Sequence, residues 1–315
     1  MATAIHTAGL CRRFGSTDAV DGVDLDVSDG EIYAFLGPNG AGKTTTVRML
    51  TTLLRPTSGV ATIAGYDVIA DAGAVRRLIG VALQQVALDP LMTPRELLEL
   101  QGALYRLSRA EAATRRDDLL ERLDLADSAS KRVMALSGGM RRRLDLAMSL
   151  IGRPQVLFLD EPSTGLDPIS RRAVWAEVRE LNDSGTTVFL TTQYLEEADH
   201  LAHRVGFING GRISLEGTPE TLKRQMGQTR LRVRVAEGQR GAAASQLAAF
   251  GHVQSSDSDW VIVALRDGAP AVPAAMHILH ESHVSVTDVD VQQPTLDDVF
   301  VSLTGDHLAA PGAKA

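Results

Sequence analysis

Four side chains in this 315-residue chain stand where they could handle a polyphosphate: Lys43, Thr44, Asp160 and Glu161. The first two close the stretch GPNGAGKTT at 37–45, a glycine, four residues, then Gly-Lys-Thr. In that spacing Gly37, Gly40 and Gly42 let the backbone curl so that successive N–H groups face inward, and the start of the helix that follows adds its positive dipole end. The main chain from Gly37 through Pro38, Asn39, Gly40, Ala41 and Gly42 can thus cradle the anion. Lys43 then reaches the β- and γ-phosphates, the Thr44 hydroxyl can ligate Mg²⁺, and Thr45 can bond a neighbouring phosphate oxygen. Asp160 and Glu161 end the apolar run VLFLDE at 156–161. Asp160 suits a water-mediated Mg²⁺ ligand and Glu161 suits polarising the attacking water, because phosphoryl transfer depends on positioning and on charge stabilisation around the γ-phosphate.

A third stretch, LSGGM at 136–140, opens a helix with Ser137 as its N-cap and with Leu144, Met148 and Ile151 on its buried side. Gly138 and Gly139 at a helix start cost stability unless something must approach the backbone closely, and an anion fits there. The run Arg141 to Arg143 reads as the solvated face of this helix rather than a nucleic-acid patch.

These side chains need a scaffold, and the chain supplies one in which strand, loop and helix alternate. Residues 3–9 and 20–27 alternate apolar and polar as strands with one solvated face, and EIYAFL leads into the glycine loop. VLFLD and TTVFLTT are continuously apolar, as strands buried on both faces of a parallel sheet are, with helices covering both sides. Thr93 with Glu96, behind Pro94, and Ser108 with Glu111 form two capping boxes, so residues 93–135 read as an inserted helical subdomain within about 86–150. Leu97, Leu100, Leu104 and Leu107 recur there at helical spacing. The composition changes near Gly227. LRVRV, an Ala-rich helix at 241–250, short strands around HVQSS and WVIVAL, a helix at 271–282 and VSVTDVDV follow one another. That β-α-β-β-α-β order predicts a small α+β domain of ferredoxin-like type over 226–315, ending in an Ala/Gly-rich tail expected to be disordered.

The bulk properties fit a globular protein: 44% of residues are hydrophobic and the net charge is −7. The longest apolar runs fall far short of the roughly 18 to 20 residues that cross a bilayer, and the first residues lack a signal-peptide core, so the chain is expected in the cytoplasm. Cys11 is the one cysteine, which excludes an internal disulfide, and the acidic balance argues against nucleic acid as a partner.

Taken together these stretches resemble the nucleotide-binding subunits of ABC transporters, over about residues 3–220. Walker A is GPNGAGKTT, the signature is LSGGM, Walker B is VLFLDE and the D-loop is STGLD. The resemblance implies an α/β P-loop ABC cassette over 1–225 that binds ATP and Mg²⁺. By the same resemblance Phe14 stacks on adenine, and Gln84 touches Mg²⁺ and couples to a membrane partner. Asp167 is the D-loop aspartate, although as a residue before Pro168 it is equally a good N-cap. Met140 stands where the family commonly has glutamine, which leaves Ser137 and the glycine N–H groups intact. Gln193 aligns with a histidine that contacts the γ-phosphate; its amide can donate the same hydrogen bond but cannot carry a proton. TTQYLEEAD, SGGMRRRLDLA and PTLDDVF are similar to the daunorubicin/doxorubicin-resistance-type exporter ATPases.

That resemblance implies an ATP-hydrolysing subunit that acts as a head-to-tail homodimer, Walker A of one copy against Ser137 of the other. A separately encoded permease would hold it at the inner face of the membrane. A soluble ABC-type ATPase acting on nucleic acid or ribosomes is opposed by the acidic balance, and a regulatory module without turnover is opposed by Glu161. In the C-terminal stretch, Leu296, Val299 and Phe300 fall on one face of a helix behind Thr295. That face either packs on its own domain or docks another subunit, with Asp297 and Asp298 beside it.

Overall fold

A computed structural model describes residues 2–84, 87–254 and 260–304. The chain divides into two compact units, Met1–Pro219 and Glu220–Ala315. The compositional change places the boundary after residue 225, and the short helix Pro219–Gln225 accounts for the difference.

The first unit opens with strands β1 (Thr3–Phe14), β2 (Thr17–Ser28) and β3 (Ile32–Leu36), helix α1 (Lys43–Leu50), strands β4 (Ser58–Ile63) and β5 (Tyr66–Asp67), helix α2 (Ala72–Leu78) and strand β6 (Ile79–Ala82). Helices α3 (Pro94–Leu104), α4 (Arg109–Arg122) and α5 (Gly138–Leu150) then precede β7 (Val156–Asp160), α6 (Pro168–Asp183), β8 (Thr187–Thr192), α7 (Leu195–Leu201), β9 (Arg204–Asn209) and β10 (Arg212–Gly217), and α8 (Pro219–Gln225) starts at the boundary and belongs to the second unit. Two sheets result: an antiparallel one, β2-β1-β4-β5, and a six-stranded one, β10-β9-β3-β8-β7-β6. In the second, β9, β3, β8, β7 and β6 run parallel. Every residue of β3, β7 and β8 is buried, as their unbroken apolar character requires.

One core joins the two sheets through α1, with Ile5, Leu10, Val23, Val47 and Leu50 packed with Tyr33, Phe35, Phe158 and Phe189. The Phe189 ring lies 5.6 Å from Tyr33, 5.6 Å from Phe35 and 5.7 Å from Phe158, so the aromatic contacts knit β3, β8 and β7 side by side.

The helical subdomain forms from both capping boxes, Thr93 with Glu96 and Ser108 with Glu111. Its buried face differs from the one the leucine spacing suggests. Leu97 and Leu98 are buried with Gly102, whereas Leu100 and Leu104 are 49% and 69% exposed. The 3,4 spacing identified the helix, but α3 presents two of its leucines outward. In α5 the expected Leu144 and Ile151 are buried, Met148 only half, and Arg142, Leu146 and Ala147 are also buried. Arg142 corrects the expectation that the whole arginine run is solvated: only Arg141 is exposed, and Arg143 bonds the Leu123 carbonyl.

The second unit contains β11 (Arg230–Val235), α9 (Arg240–Leu247), β12 (Gly251–Gln254), β13 (Trp260–Leu265), α10 (Val272–Glu281), β14 (Val286–Gln292) and α11 (Leu296–Thr304). Its strands form one antiparallel sheet in the order β12-β13-β11-β14. Leu231, Val233, Val261 and Val263 on one face pack with Ala243 and Leu247 of α9 and Ala275 and Leu279 of α10. Ser255 and Ser256 of HVQSS, and the tail expected to be disordered, lie outside the described residues.

Candidate active site

Strand register decides which residues share an edge. Leu36 pairs with Thr192, Asp160 with Thr191 and Leu159 with Ala82. The loop after β3, the pair Asp160 and Glu161, Gln84 and Gln193 therefore all stand at the carboxyl ends of neighbouring parallel strands, the edge where open α/β sheets bind ligands.

The loop from Gly37 through Pro38, Asn39, Gly40 and Ala41 ends on Gly42, whose φ of 111° and whose Cβ position, 2.5 Å from the Ala19 carbonyl, admit no side chain. Helix α1 begins there with no side-chain cap, so its first N–H groups are left to an outside acceptor. Lys43 is buried and its Nζ donates to the carbonyls of Gly37 at 2.7 Å and Pro38 at 3.1 Å. Burial pushes this ammonium below the ordinary lysine value, while Glu161 and Asp160 pull it back up.

Asp160, 1% exposed, accepts through Oδ1 from the Thr44 hydroxyl at 3.3 Å and from the Thr191 hydroxyl. Its Oδ2 is buried without a hydrogen-bond partner. A buried carboxylate oxygen without a partner is costly unless a cation serves it. The donor set of one carboxylate, the Thr44 hydroxyl and the Gln84 amide oxygen is hard and oxygen-based, which suits Mg²⁺ completed by substrate phosphates and water.

Glu161 is also buried and takes the left-handed conformation, φ 51°, a strain of about 1 to 3 kcal/mol for a non-glycine residue. Its N–H donates to the Thr191 carbonyl, and its Oε2 accepts from the Gln84 amide at 3.1 Å and the Thr164 hydroxyl at 3.1 Å. Thr45, the third residue of α1, is half-buried. Phe14, 47% exposed at the end of β1, carries the Arg12 guanidinium 4.6 Å from its ring centroid. Gln193 is exposed just past β8, and Glu197, four residues on and buried in the first turn of α7, accepts from the Trp175 indole at 2.8 Å. Burial pushes the Glu197 carboxyl up, and bonds including the one from Trp175 pull it down.

The LSGGM residues stand apart. Ser137 caps α5, accepting from the Met140 N–H at 3.2 Å, and no hydrogen bond among the described residues joins Ser137, Gly138 or Gly139 to the 37–42 loop. A Cβ on Gly139 would lie 3.2 Å from the Ser170 hydroxyl, whereas Gly138 is open to the outside. Asp167 caps α6, accepting from the N–H groups of Ile169 and Ser170 and from the Ser170 hydroxyl, and these bonds hold its carboxyl below the usual range. Its capping role is therefore realised within its own helix.

The sequence reading missed Thr191, Thr164 and Arg142. Thr191 was visible as a polar residue at the end of a wholly apolar strand. Arg142 was visible only through its neighbours, since Leu146 and Leu150 follow it at four-residue steps on a buried stripe.

Residues 20–164 match the ABC transporter family, and residues 217–304 match the C-terminal domain of DrrA1-3-like ATP-binding proteins. Over 305 residues the chain is 49% identical to the daunorubicin resistance ATP-binding protein DrrA3 of Streptomyces coeruleorubidus, covering 96% of each. It is 46% identical to the daunorubicin/doxorubicin resistance ATP-binding protein DrrA of Streptomyces peucetius, covering 96% of this chain and 92% of that one. Among solved structures, the ATP-binding subunit of an ABC transporter superposes with a TM-score of 0.66 at 28% identity over 71% of this chain and 93% of that one. A dimeric ATP-binding cassette in a post-hydrolysis state, bound to ADP and Pi, gives 0.63 at 25% identity over 68% and 98%.

Proposed function

The chain belongs to the ABC transporter ATP-binding proteins of the daunorubicin/doxorubicin resistance type, and on that premise we propose that it energises a separately encoded permease that exports drugs or similar hydrophobic compounds. It is an ABC ATPase that hydrolyses ATP to drive transport. The observation that carries the site assignment is the convergence of Lys43, Asp160, Glu161 and Gln84 at one sheet edge beside the uncapped start of α1.

The loop 37–42 and the N–H groups of α1 bind the phosphates, with Lys43 and Thr45 on their oxygens. Thr44, Gln84 and the unpartnered Oδ2 of Asp160 would hold Mg²⁺. When bound, that cation supplies charge neutralisation on the β- and γ-phosphate oxygens. Glu161 orients and polarises the attacking water, and Gln193 donates to the γ-phosphate. Phe14 offers an apolar platform to the adenine. Ser137, Gly138 and Gly139 form a second anion site that faces outward, which suits a nucleotide held by another copy, and Asp167 lies on the same side through Ser170. This supports a head-to-tail homodimer.

Among the described residues no helix is long and apolar enough to cross a membrane, in keeping with a permease encoded elsewhere and a peripheral, cytoplasmic location on the inner membrane face. Exposed Leu91 and Met134, adjacent through the Met134 N–H to Pro90 carbonyl bond, and exposed Leu100 and Leu104 on α3 give the helical subdomain apolar surface for such a partner. We assign residues 1–225 to the nucleotide-binding domain and 226–315 to an accessory, assembly domain. The strand order β12-β13-β11-β14 supports a ferredoxin-like reading of the latter. Phosphate release from MgATP by the purified full chain, abolished by EDTA and by Lys43→Ala, tests the site assignment; release that survives Lys43→Ala would refute it.

A further inference from the structure

Arg142 is 7% exposed, in the second turn of α5, and every N–H of its guanidinium is engaged. Nε donates to the Pro162 carbonyl at 2.9 Å. Nη2 donates to the carbonyls of Asp160 at 3.0 Å and Glu161 at 3.1 Å. Nη1 donates to the Leu83 carbonyl at 2.7 Å and to Asp145 Oδ2 at 3.3 Å.

Four of these five acceptors are main-chain groups from only two places: the turn that carries Glu161 and the residue immediately before Gln84. Three successive carbonyls, 160 to 162, converge on one cation, a geometry that accompanies the left-handed conformation of Glu161. Converging carbonyl dipoles repel one another unless a positive charge lies between them, and a planar, always charged fork with five N–H donors spans acceptors at two separate places where a compact ammonium has only three donors on one atom.

We propose that Arg142 is a positioning residue for hydrolysis, whose guanidinium fixes the Glu161 turn and the Gln84 strand end together and so ties the helix opened by Ser137 to the water-activating carboxylate of the same chain. The inference rests on the reading of Glu161 as the hydrolytic carboxylate. It gives α5 two ends with different duties. Ser137 at its start faces outward, and Arg142, five residues on, holds the hydrolytic pair by its backbone.

The test uses the full-length chain and its Arg142→Gln, Arg142→Lys, Glu161→Gln and Arg142→Gln/Glu161→Gln variants. Fluorescence of mant-ATP reads binding, phosphate release reads kcat and KM, and thermal melting reads folding. Arg142→Gln should lower kcat by about 100-fold, the scale of a misplaced catalytic group, with mant-ATP affinity nearly unchanged. Arg142→Lys, which keeps the charge and loses the fork, should fall between it and the parent, and it decides the matter if Arg142→Gln does not fold. The double variant should be no slower than Glu161→Gln. Arg142→Gln and Arg142→Lys at parental kcat, or losses that multiply in the double variant, would overturn the proposal. Glu161→Gln at parental kcat would instead overturn the reading of Glu161.

Discussion

The Gln84 amide donates to the Glu161 carboxylate across 3.1 Å, joining the loop beyond β6 to the turn beyond β7. The residue expected to report on a membrane partner and the residue expected to activate water are therefore one unit. Replacing Gln84 with Glu sets two carboxylates at this separation, and like-charge repulsion raises the pKa of one of them. The acid limb of the pH–rate profile should move to higher pH, with kcat at neutral pH reduced about tenfold, or about 1.4 kcal/mol. An unmoved limb would mean that the pair is not coupled during turnover.

Gln193 is exposed at the same sheet edge, one residue past Thr192, where an amide can reach a phosphate oxygen. Gln193→Ala should lower kcat by about tenfold, the scale of one lost transition-state hydrogen bond. Steady-state phosphate release checks this, and parental turnover in the alanine variant would return Gln193 to a surface residue.

The C-terminal helix gives its two acids separate fates. Asp298 Oδ2 accepts from both the N–H and the hydroxyl of Thr295, and the Asp298 N–H returns a bond to that hydroxyl, whereas Asp297, exposed like Asp298, takes no part in this cap. Asp298→Ala should cost about 1 kcal/mol of stability through the lost cap, seen as a lower melting temperature. Asp297→Ala should leave melting nearly unchanged, and a defect in self-association by light scattering would then report a docking role. If the two variants melt alike, the capping account of Asp298 is wrong.

Asp145 is half-buried beside Arg142, and desolvation, partly countered by that guanidinium, pushes its carboxyl up from 3.8 to about 6. A carboxyl whose folded pKa is raised works against stability once ionised, so its unfavourable contribution grows from about pH 4 and is complete above about pH 6. Asp145→Asn removes that titration. The melting difference between variant and parent should therefore be more favourable to the variant at pH 7.5 than at pH 5. A difference that is flat or runs the other way would contradict the shift.

Much of this was legible from local pattern. Unbroken apolar strands and the Gly-Lys-Thr spacing announce β3, β7, β8 and the loop between β3 and α1, because burial on both faces and phosphate binding each demand a narrow set of residues. Capping boxes marked the starts of α3 and α4 for the same reason. Facing was less legible. Leu100 and Leu104 keep the helical period yet point outward, since period alone does not say which stripe meets the core. Arg142 was hidden because its main-chain acceptors lie 18 to 20 residues away at 160 to 162 and 59 residues away at Leu83, and no side-chain pattern records where carbonyls converge. Thr191 and Thr164 serve the site through hydroxyls that any strand end or turn could carry.

The proposed cycle has this chain close on ATP as a dimer and reopen by Glu161-dependent hydrolysis. Light scattering of the Glu161→Gln variant with MgATP tests it most directly, because slowed hydrolysis should trap the bound state. An ATP-dependent doubling of mass is expected, one that ADP does not support and that Ser137→Arg abolishes. A variant that binds ATP yet stays monomeric, both alone and with its permease, would contradict it.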